Sequence, residues 1–229
     1  MTELILIGLS HSDPKGKQRL EKLLDYVKPK ILTIEASEER LDFSRQVKSD
    51  LSLHLEKKDL DPSLIEKWVS VVAFTDYEWE TCNEYAACNK IPLYSIDLPQ
   101  IKDEEKNLAL ISLNSVKAAD ITNGILESEI KEDEKKVNSW WQMKLWDFKT
   151  YSPFLLKAKN IFTPAYWIGE RDEYMAEQLK NICKSNPGKR VVHVGGAQHM
   201  VDKGRYSNTT LHSLLPKSAV YFLPKADKI

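Results

Sequence analysis

The chain has 229 residues, 42% of them hydrophobic and 29% charged, and its 33 Lys and Arg against 34 Asp and Glu leave a net charge of −1. That balance excludes collagen-like, coiled-coil and disordered chains, and the missing basic excess argues against nucleic acid as a partner. Three cysteines with no C-x-x-C pair exclude a zinc ribbon and a disulfide framework and fit a reducing, cytoplasmic setting.

Taken in chain order, short β-rich runs alternate with helical patterns, the signature of βαβ units. Residues 4–8 form a first strand; its short apolar run without a basic flank reads as a strand and not as a signal peptide. A helix over residues 16–27 carries Leu20, Leu23, Leu24 and Val27 at i, i+3, i+4 and i+7, and Lys28-Pro29 ends it because the residue before proline avoids the helical region. Residues 31–35 give a second strand, and residues 38–58 and 63–89 read as helices separated by Asp61-Pro62-Ser63. A third strand covers residues 92–96 with Asp97 at its end. Residues 104–148 read as helical, with a solvated charge run at 127–136, and lead into an aromatic stretch from Trp140 to Trp167 that could wall or cover a crevice. A helix over residues 170–184 follows, closed by Asn186-Pro187-Gly188, then a fourth strand at 190–194 and a fifth at 220–223. No stretch of about 18 apolar residues occurs, so no membrane-spanning helix is expected. The predicted fold is a single α/β domain spanning residues 1–229, with a central mixed or mostly parallel sheet flanked by helices and a helical, aromatic-rich insertion.

One pattern occurs twice. Gly8-Leu9-Ser10-His11 follows the first strand and Gly196-Ala197-Gln198-His199 follows the fourth, so each G-x-x-H leaves the sheet at a strand's carboxyl end. Open α/β sheets place ligands at that edge. Glycine lets the chain turn or approach a ligand closely, which makes Gly8 and Gly196 candidate substrate-contacting positions, and the histidine three residues on offers an imidazole. Glu35 ends the second strand and is delivered to the same edge. Two imidazoles and a carboxylate suit a divalent transition metal with open positions, such as Mn, Co, Fe or Zn. His193 lies inside the fourth strand and reads as a satisfied core histidine, while His54 and His212 read as surface residues. Glu170 and Asp172 read as complements to a helix N-terminus, with Arg171 solvated, salt-bridged or turned into the crevice as an oxyanion donor. Asp97 is a candidate substrate-contacting position, or else a strand-end carboxylate that either orders a neighbour or caps the next turn. Phosphate-loop, G-x-G-x-x-G, G-x-S-x-G and H-E-x-x-H patterns are absent.

These residues resemble the TraB/PrgY/GumN/Tiki superfamily, whose fold is shared with erythromycin-esterase-like and haem-binding ChaN-like proteins. The resemblance runs through Gly8 to His11, Lys28 to Glu35 with Arg40, Ile91 to Asp97, Glu170 to Ala176 and Val191 to His199, in family order. It implies a metal-dependent protease that binds its ion through His11, His199 and Glu35, with Arg171 a further catalytic position. The expected chemistry is hydrolysis of a peptide or amide bond, Glu35 either completing the metal shell or taking water's proton. Two alternatives stand beside it: a non-catalytic protein that sequesters a peptide, haem or small ligand, and a metal-free esterase-like enzyme with a histidine base. On acidification, metal held by two histidines is expected to be lost below roughly pH 6, because imidazole ligates only when neutral.

Overall fold

A computed structural model describes residues 2–11, 13–72, 77–147, 166–200 and 210–229. Five strands form one sheet: β1 (Glu3–Leu9), β2 (Ile31–Ile34), β3 (Leu93–Ser95), β4 (Arg190–Gly196) and β5 (Ala219–Phe222). Their order is β3-β2-β4-β1-β5 and every pairing is parallel, so the sheet is fully parallel rather than mixed. The central strands explain why. Ile5, Leu6, Ile7 and Leu9 of β1, and Val191, Val192 and Val194 of β4, are all buried, so both faces must be covered, as parallel sheets require.

Alternation along the strands sorts two apolar layers. On one face Ile5, Ile7, Leu9, Leu32, Ile34, Val192 and Val194 pack on α1 (Gly16–Val27), on Cys82 of α4 (Tyr77–Asn89) and on the C-terminal 3-10 segment Leu223–Lys228. On the other, Leu6, Ile31 and Val191 meet Met175, Ala176 and Leu179 of the helix α7 (Tyr166–Ser185) and Leu211 of α8 (Leu211–Leu214). A third apolar cluster lies among helices alone. It joins Val47, Leu51 and Leu55 of α2 (Glu38–Glu56), Ile65, Trp68 and Val69 of α3 (Pro62–Val72), Leu113 of α5 (Asp103–Ala118), and Leu126 and Ile130 of α6 (Asn123–Asp147). Trp68 Nε1 donates to Glu129 Oε2 at 2.6 Å within it.

Local sequence sets the boundaries. α1 stops where expected: Lys28 adopts φ 49°, its N–H reaches Leu24 O, and Pro29 follows. Ser37 caps α2, its Oγ accepting the Arg40 N–H at 3.3 Å, and Asp61 Oδ1 caps α3 through the Ser63 N–H at 2.8 Å. Residues 63–89 hold two helices, α3 and α4 (Tyr77–Asn89), with 73–76 outside the described residues. Residues 104–148 likewise divide into α5 and α6, because Ala119 turns extended (ψ 147°) and Thr122 Oγ1 accepts the Ile125 N–H to start the second helix. α7 begins four residues earlier than the charge pattern predicts.

Gly16 at the head of α1 has a packing reason. A Cβ there would lie 2.3 Å from the Tyr77 ring, whose hydroxyl donates to Ser10 O at 2.9 Å just before His11. Gly16→Ala is expected to cost about 1–3 kcal/mol, the usual range for overpacking, as a lower urea midpoint with unchanged m.

Candidate functional site

The register of the central pair explains how two distant motifs meet. β1 and β4 are neighbours with Gly8 opposite Gly195 and Leu9 opposite Gly196, so both chains leave the same carboxyl edge side by side. β2 flanks β4 on its other side, with Ile34 opposite Val194, and the Glu35 N–H continues the ladder to Val194 O at 2.9 Å. Ile31, Thr33 and Glu35 share one face of β2, so Glu35 points towards α7.

The three expected ligands converge on Gly196. A Cβ on Gly196 would stand 3.4 Å from Glu35 Oε2, 3.4 Å from His11 Nε2 and 3.5 Å from His199 Cδ2. His11 and His199, 188 positions apart in sequence numbering, therefore face one small space. Each imidazole is oriented from behind by a carboxylate: His11 Nδ1 lies 2.6 Å from Glu78 Oε1, and His199 Nδ1 lies 2.9 Å from both oxygens of Asp172. His199 Nε2 faces Glu35 Oε1 at 3.2 Å.

Glu35 is the hub. Its Oε1 also accepts from Arg171 Nη2 at 2.6 Å, and its Oε2 accepts the Gly196 N–H at 2.6 Å. Arg171 is in turn clamped by Asp97, Nε to Oδ1 at 2.9 Å and Nη2 to Oδ2 at 2.6 Å, while Arg40 Nε reaches Asp97 Oδ2 at 2.9 Å. Asp97 is buried, and its carboxylate meets these guanidiniums and the Leu98 N–H, so it holds Arg171 in place. Arg171 is thus salt-bridged to both Glu35 and Asp97. Gly8, expected to contact substrate, has a packing reason instead: its Cβ would lie 2.8 Å from the Phe222 ring and 3.1 Å from Ala197 Cα.

The charges shift one another. Burial works against an ionised Glu35, but His199 and Arg171 outweigh it and hold the carboxyl well below its usual range. Burial also opposes protonation of His199, yet Glu35 and Asp172 push its pKa up to about 10. Asp172 moves the other way: its own burial prevails over the imidazole and raises its carboxyl. The protein packed around His11 opposes its protonation, and Glu78 reverses this to a raised pKa, although half of the side chain is exposed.

Asp172 corrects the sequence reading. It lies a full turn inside α7, fully buried, and also accepts the Leu211 N–H, so it is no helix-end complement. Its signal was present: Asp172 stands at i to Met175, Ala176 and Leu179 at i+3, i+4 and i+7, a carboxylate on the apolar stripe. Glu78 was missed for the same reason, being followed at i+3 and i+4 by buried Thr81 and Cys82 on α4. His54 and His212 are half-buried rather than on the surface. His193 is buried, but its Nε2 has no partner among the described residues, so it is not the satisfied core histidine expected. Residues 148–165, and the side chains of Trp140, Trp141, Trp146 and Trp167, expected to wall or cover the crevice, lie outside the described residues.

As arranged, no group of three or more His, Cys, Asp or Glu side chains among the described residues forms a ready-made metal cage. The donor set nonetheless fits a divalent ion in kind. Metal-binding histidines give their second ring nitrogen to a carboxylate, and both histidines here do so. Counted as ionised, Glu35, Glu78, Asp97 and Asp172 exceed Arg40 and Arg171 by two negative charges, which two imidazoliums or one divalent cation would balance.

Gly196→Ala tests that space. The added methyl meets its neighbours at van der Waals distance and the backbone there is not left-handed, so melts should show unchanged stability or a gain of up to about 1 kcal/mol. The methyl would nevertheless occupy the position the three groups share, and any ion or substrate binding there should be lost.

No protein-family model matches the chain, and no curated protein matches it. Among solved structures, an erythromycin esterase mutant in its open conformation overlaps 96% of this chain and 69% of its own, at 11% sequence identity and a TM-score of 0.40. Similarity at that level describes shape and says nothing of chemistry or of family membership. No helix among the described residues is long and apolar enough to cross a membrane.

Proposed function

We propose that the chain is a metal-dependent hydrolase of the TraB/PrgY/GumN/Tiki kind, cleaving a peptide or other amide bond at the space beside Gly196. The observation that carries this reading is the convergence of two carboxylate-backed imidazoles and one carboxylate on a bare α-carbon. His11 and His199 are the donors that would hold the ion, Glu35 either completing its shell or acting as the base, with Mn, Co, Fe and Zn all compatible with their chemistry. When bound, a divalent ion supplies Lewis acidity, acidifying water and polarising a carbonyl.

The chain's own groups supply the remainder. Arg171 and the Gly196 N–H hold the Glu35 carboxylate ionised and in one orientation, ready to accept a proton from the attacking water. Asp172 keeps the His199 ring turned so that Nε2 faces the space beside Glu35, the orientation in which that nitrogen would hold the ion. Asp97 fixes Arg171 so that its charge lies beside the reacting centre, where a developing oxyanion is stabilised. Peptide or amide substrates follow from the motif resemblance.

One observation favours a second reading. Both Glu35 oxygens already accept hydrogen bonds, and His199 Nε2 already faces one of them, an arrangement that relays protons without an ion. Chelation separates the two. Protein stripped with a chelator and reloaded singly with Mn, Co, Fe or Zn is assayed for metal content and for turnover of a peptide library and simple esters. The metal-dependent reading expects about one ion per chain, activity lost on stripping and restored on reloading, and neither in a His11→Ala, His199→Ala double variant. Equal metal content in wild type and double variant overturns it. Activity that survives chelation selects the metal-free relay, and a ligand bound tightly but recovered unchanged selects a sequestering protein.

A further inference from the structure

The third imidazole at this edge is His193, one residue pair below the site on the same face of the sheet as Glu35. It is 0% exposed, and β4 sets it between Leu6 of β1 and Thr33 of β2. Its Nδ1 lies 3.0 Å from Thr33 Oγ1, and its Nε2 meets no partner among the described residues. A buried polar nitrogen without a partner is costly, so its surroundings matter. The point where Gly195 would carry a Cβ lies 3.0 Å from His193 Nε2 and 2.7 Å from Glu35 Oε2. Only a glycine at 195 allows the carboxylate and the imidazole to close over the strand in this way.

Two arguments point to one tautomer of this ring. The Thr33 hydroxyl has one hydrogen and two acceptors, His193 Nδ1 at 3.0 Å and Val192 O at 3.4 Å, and the shorter contact takes it. With Nδ1 accepting, the neutral ring carries its hydrogen on Nε2. The second argument is electrostatic: an Nε2 lone pair turned towards the Glu35 carboxylate is repelled, whereas an Nε2–H is attracted. Both lead to the same tautomer.

We propose that His193 is a positioning residue, a neutral Nε2–H imidazole set by Thr33 that anchors the Glu35 carboxylate from beneath across Gly195. It acts through Glu35 by way of a single bridging water, Nε2 having no direct partner among the described residues, and contributes a donor without adding a net charge. The role rests on the reading of Glu35 as the reactive carboxylate, but its test does not depend on turnover.

Long-range proton–nitrogen correlation spectra of protein labelled with 15N-histidine distinguish the tautomers. The His193 signals are those missing from His193→Gln. In metal-free wild type at neutral pH, the expected pattern is a protonated Nε2 and an accepting Nδ1, with the Nε2 resonance moving when Glu35 is replaced in Glu35→Gln. Thr33→Val, which removes the hydroxyl but keeps the shape, should shift the ring towards the other tautomer, and this arm stands in should Glu35→Gln fail to fold. A wild-type ring with its proton on Nδ1, or an Nε2 resonance indifferent to a folded Glu35→Gln, overturns the proposal. Should the Nε2–H form be found in a protein without hydrolytic activity, the anchoring role stands and the hydrolase reading falls. Should activity accompany the Nδ1–H form, the reverse holds.

Discussion

Arg171→Met is expected to lower the unfolding free energy by about 3–5 kcal/mol, the range found when one partner of a buried ion pair is removed. The guanidinium binds two carboxylates at once, Glu35 with 5% of its side chain exposed and Asp97 with none, and a thioether of similar length replaces neither bond. Asp97 keeps Arg40, so the lower end of the range applies to it, and Glu35 suffers more. For a chain of this size the change corresponds to a fall in melting temperature of roughly 6–20 °C. The pH dependence identifies the cause. Arg171 is one of the groups that hold Glu35 well below its ordinary pKa, so without it the carboxyl protonates more readily and the folded state is relieved in acid. The deficit of the variant against wild type should therefore be larger at pH 8 than at pH 5. An equal deficit at both would mean that lost packing, not an uncompensated charge, is responsible. Arg171→Lys should fall between the two, because an ammonium cannot reproduce the forked contact with Asp97.

The strands were legible because their residues leave little choice. Leu4-Ile5-Leu6-Ile7, Ile31-Leu32-Thr33-Ile34 and Val191-Val192-His193-Val194 are runs too short for helices and too apolar for loops, and each is a strand. The two G-x-x-H motifs were legible as strand exits. Their closeness was not, because it depends on β4 inserting between β1 and β2, a choice made by long-range packing that no local pattern records. The helical layer was less legible, since the break over residues 119–122 holds no proline and the Asn123-Gly124 that follows it lies within the first turn of α6. Asp172 and Glu78 were hidden differently. Asp172 had an ordinary reading as a dipole complement at a helix start, while Glu78 sat in the middle of the single helix expected over residues 63–89, and only the packing of α7 and α4 shows that both face inwards to orient histidines.

His199 and His193 should also give the metal-free protein a stability maximum near neutral pH, each histidine shaping one side of it. His199, raised to about 10 in the folded chain from an ordinary 6.5, keeps its proton in the native state where the unfolded chain has lost it. Its contribution is fully present below pH 6.5 and is lost as pH rises through about 10. Linkage sets an upper bound of roughly 5 kcal/mol on that loss, and because burial of Asp172 opposes the pair, about 3 kcal/mol is the expected size. His11 acts in the same sense, but with half its side chain exposed, solvent screens it. His193 acts oppositely: burial holds it down to about 4, so between pH 6.5 and 4 the unfolded chain binds a proton that the native chain does not, and stability falls by roughly 3 kcal/mol as the solution is acidified. Glu35 adds to the acid side below its ordinary range, where protonation removes the bonds to Arg171 and Gly196. Urea titrations across pH 4–10 should show both limbs, with His193→Gln flattening the acid one and His199→Gln the alkaline one. The same protonated His199 changes the expected pH range for metal. An ion must displace that proton, so affinity should climb steadily from pH 6 towards 10 with protons released on binding, rather than level off above pH 6 as for an ordinary histidine. Calorimetry in two buffers of different ionisation enthalpy reads the release directly. Affinity already level above pH 6, or no proton release at pH 7, would mean that the His199 Nε2 seen facing Glu35 is not the atom that takes the metal.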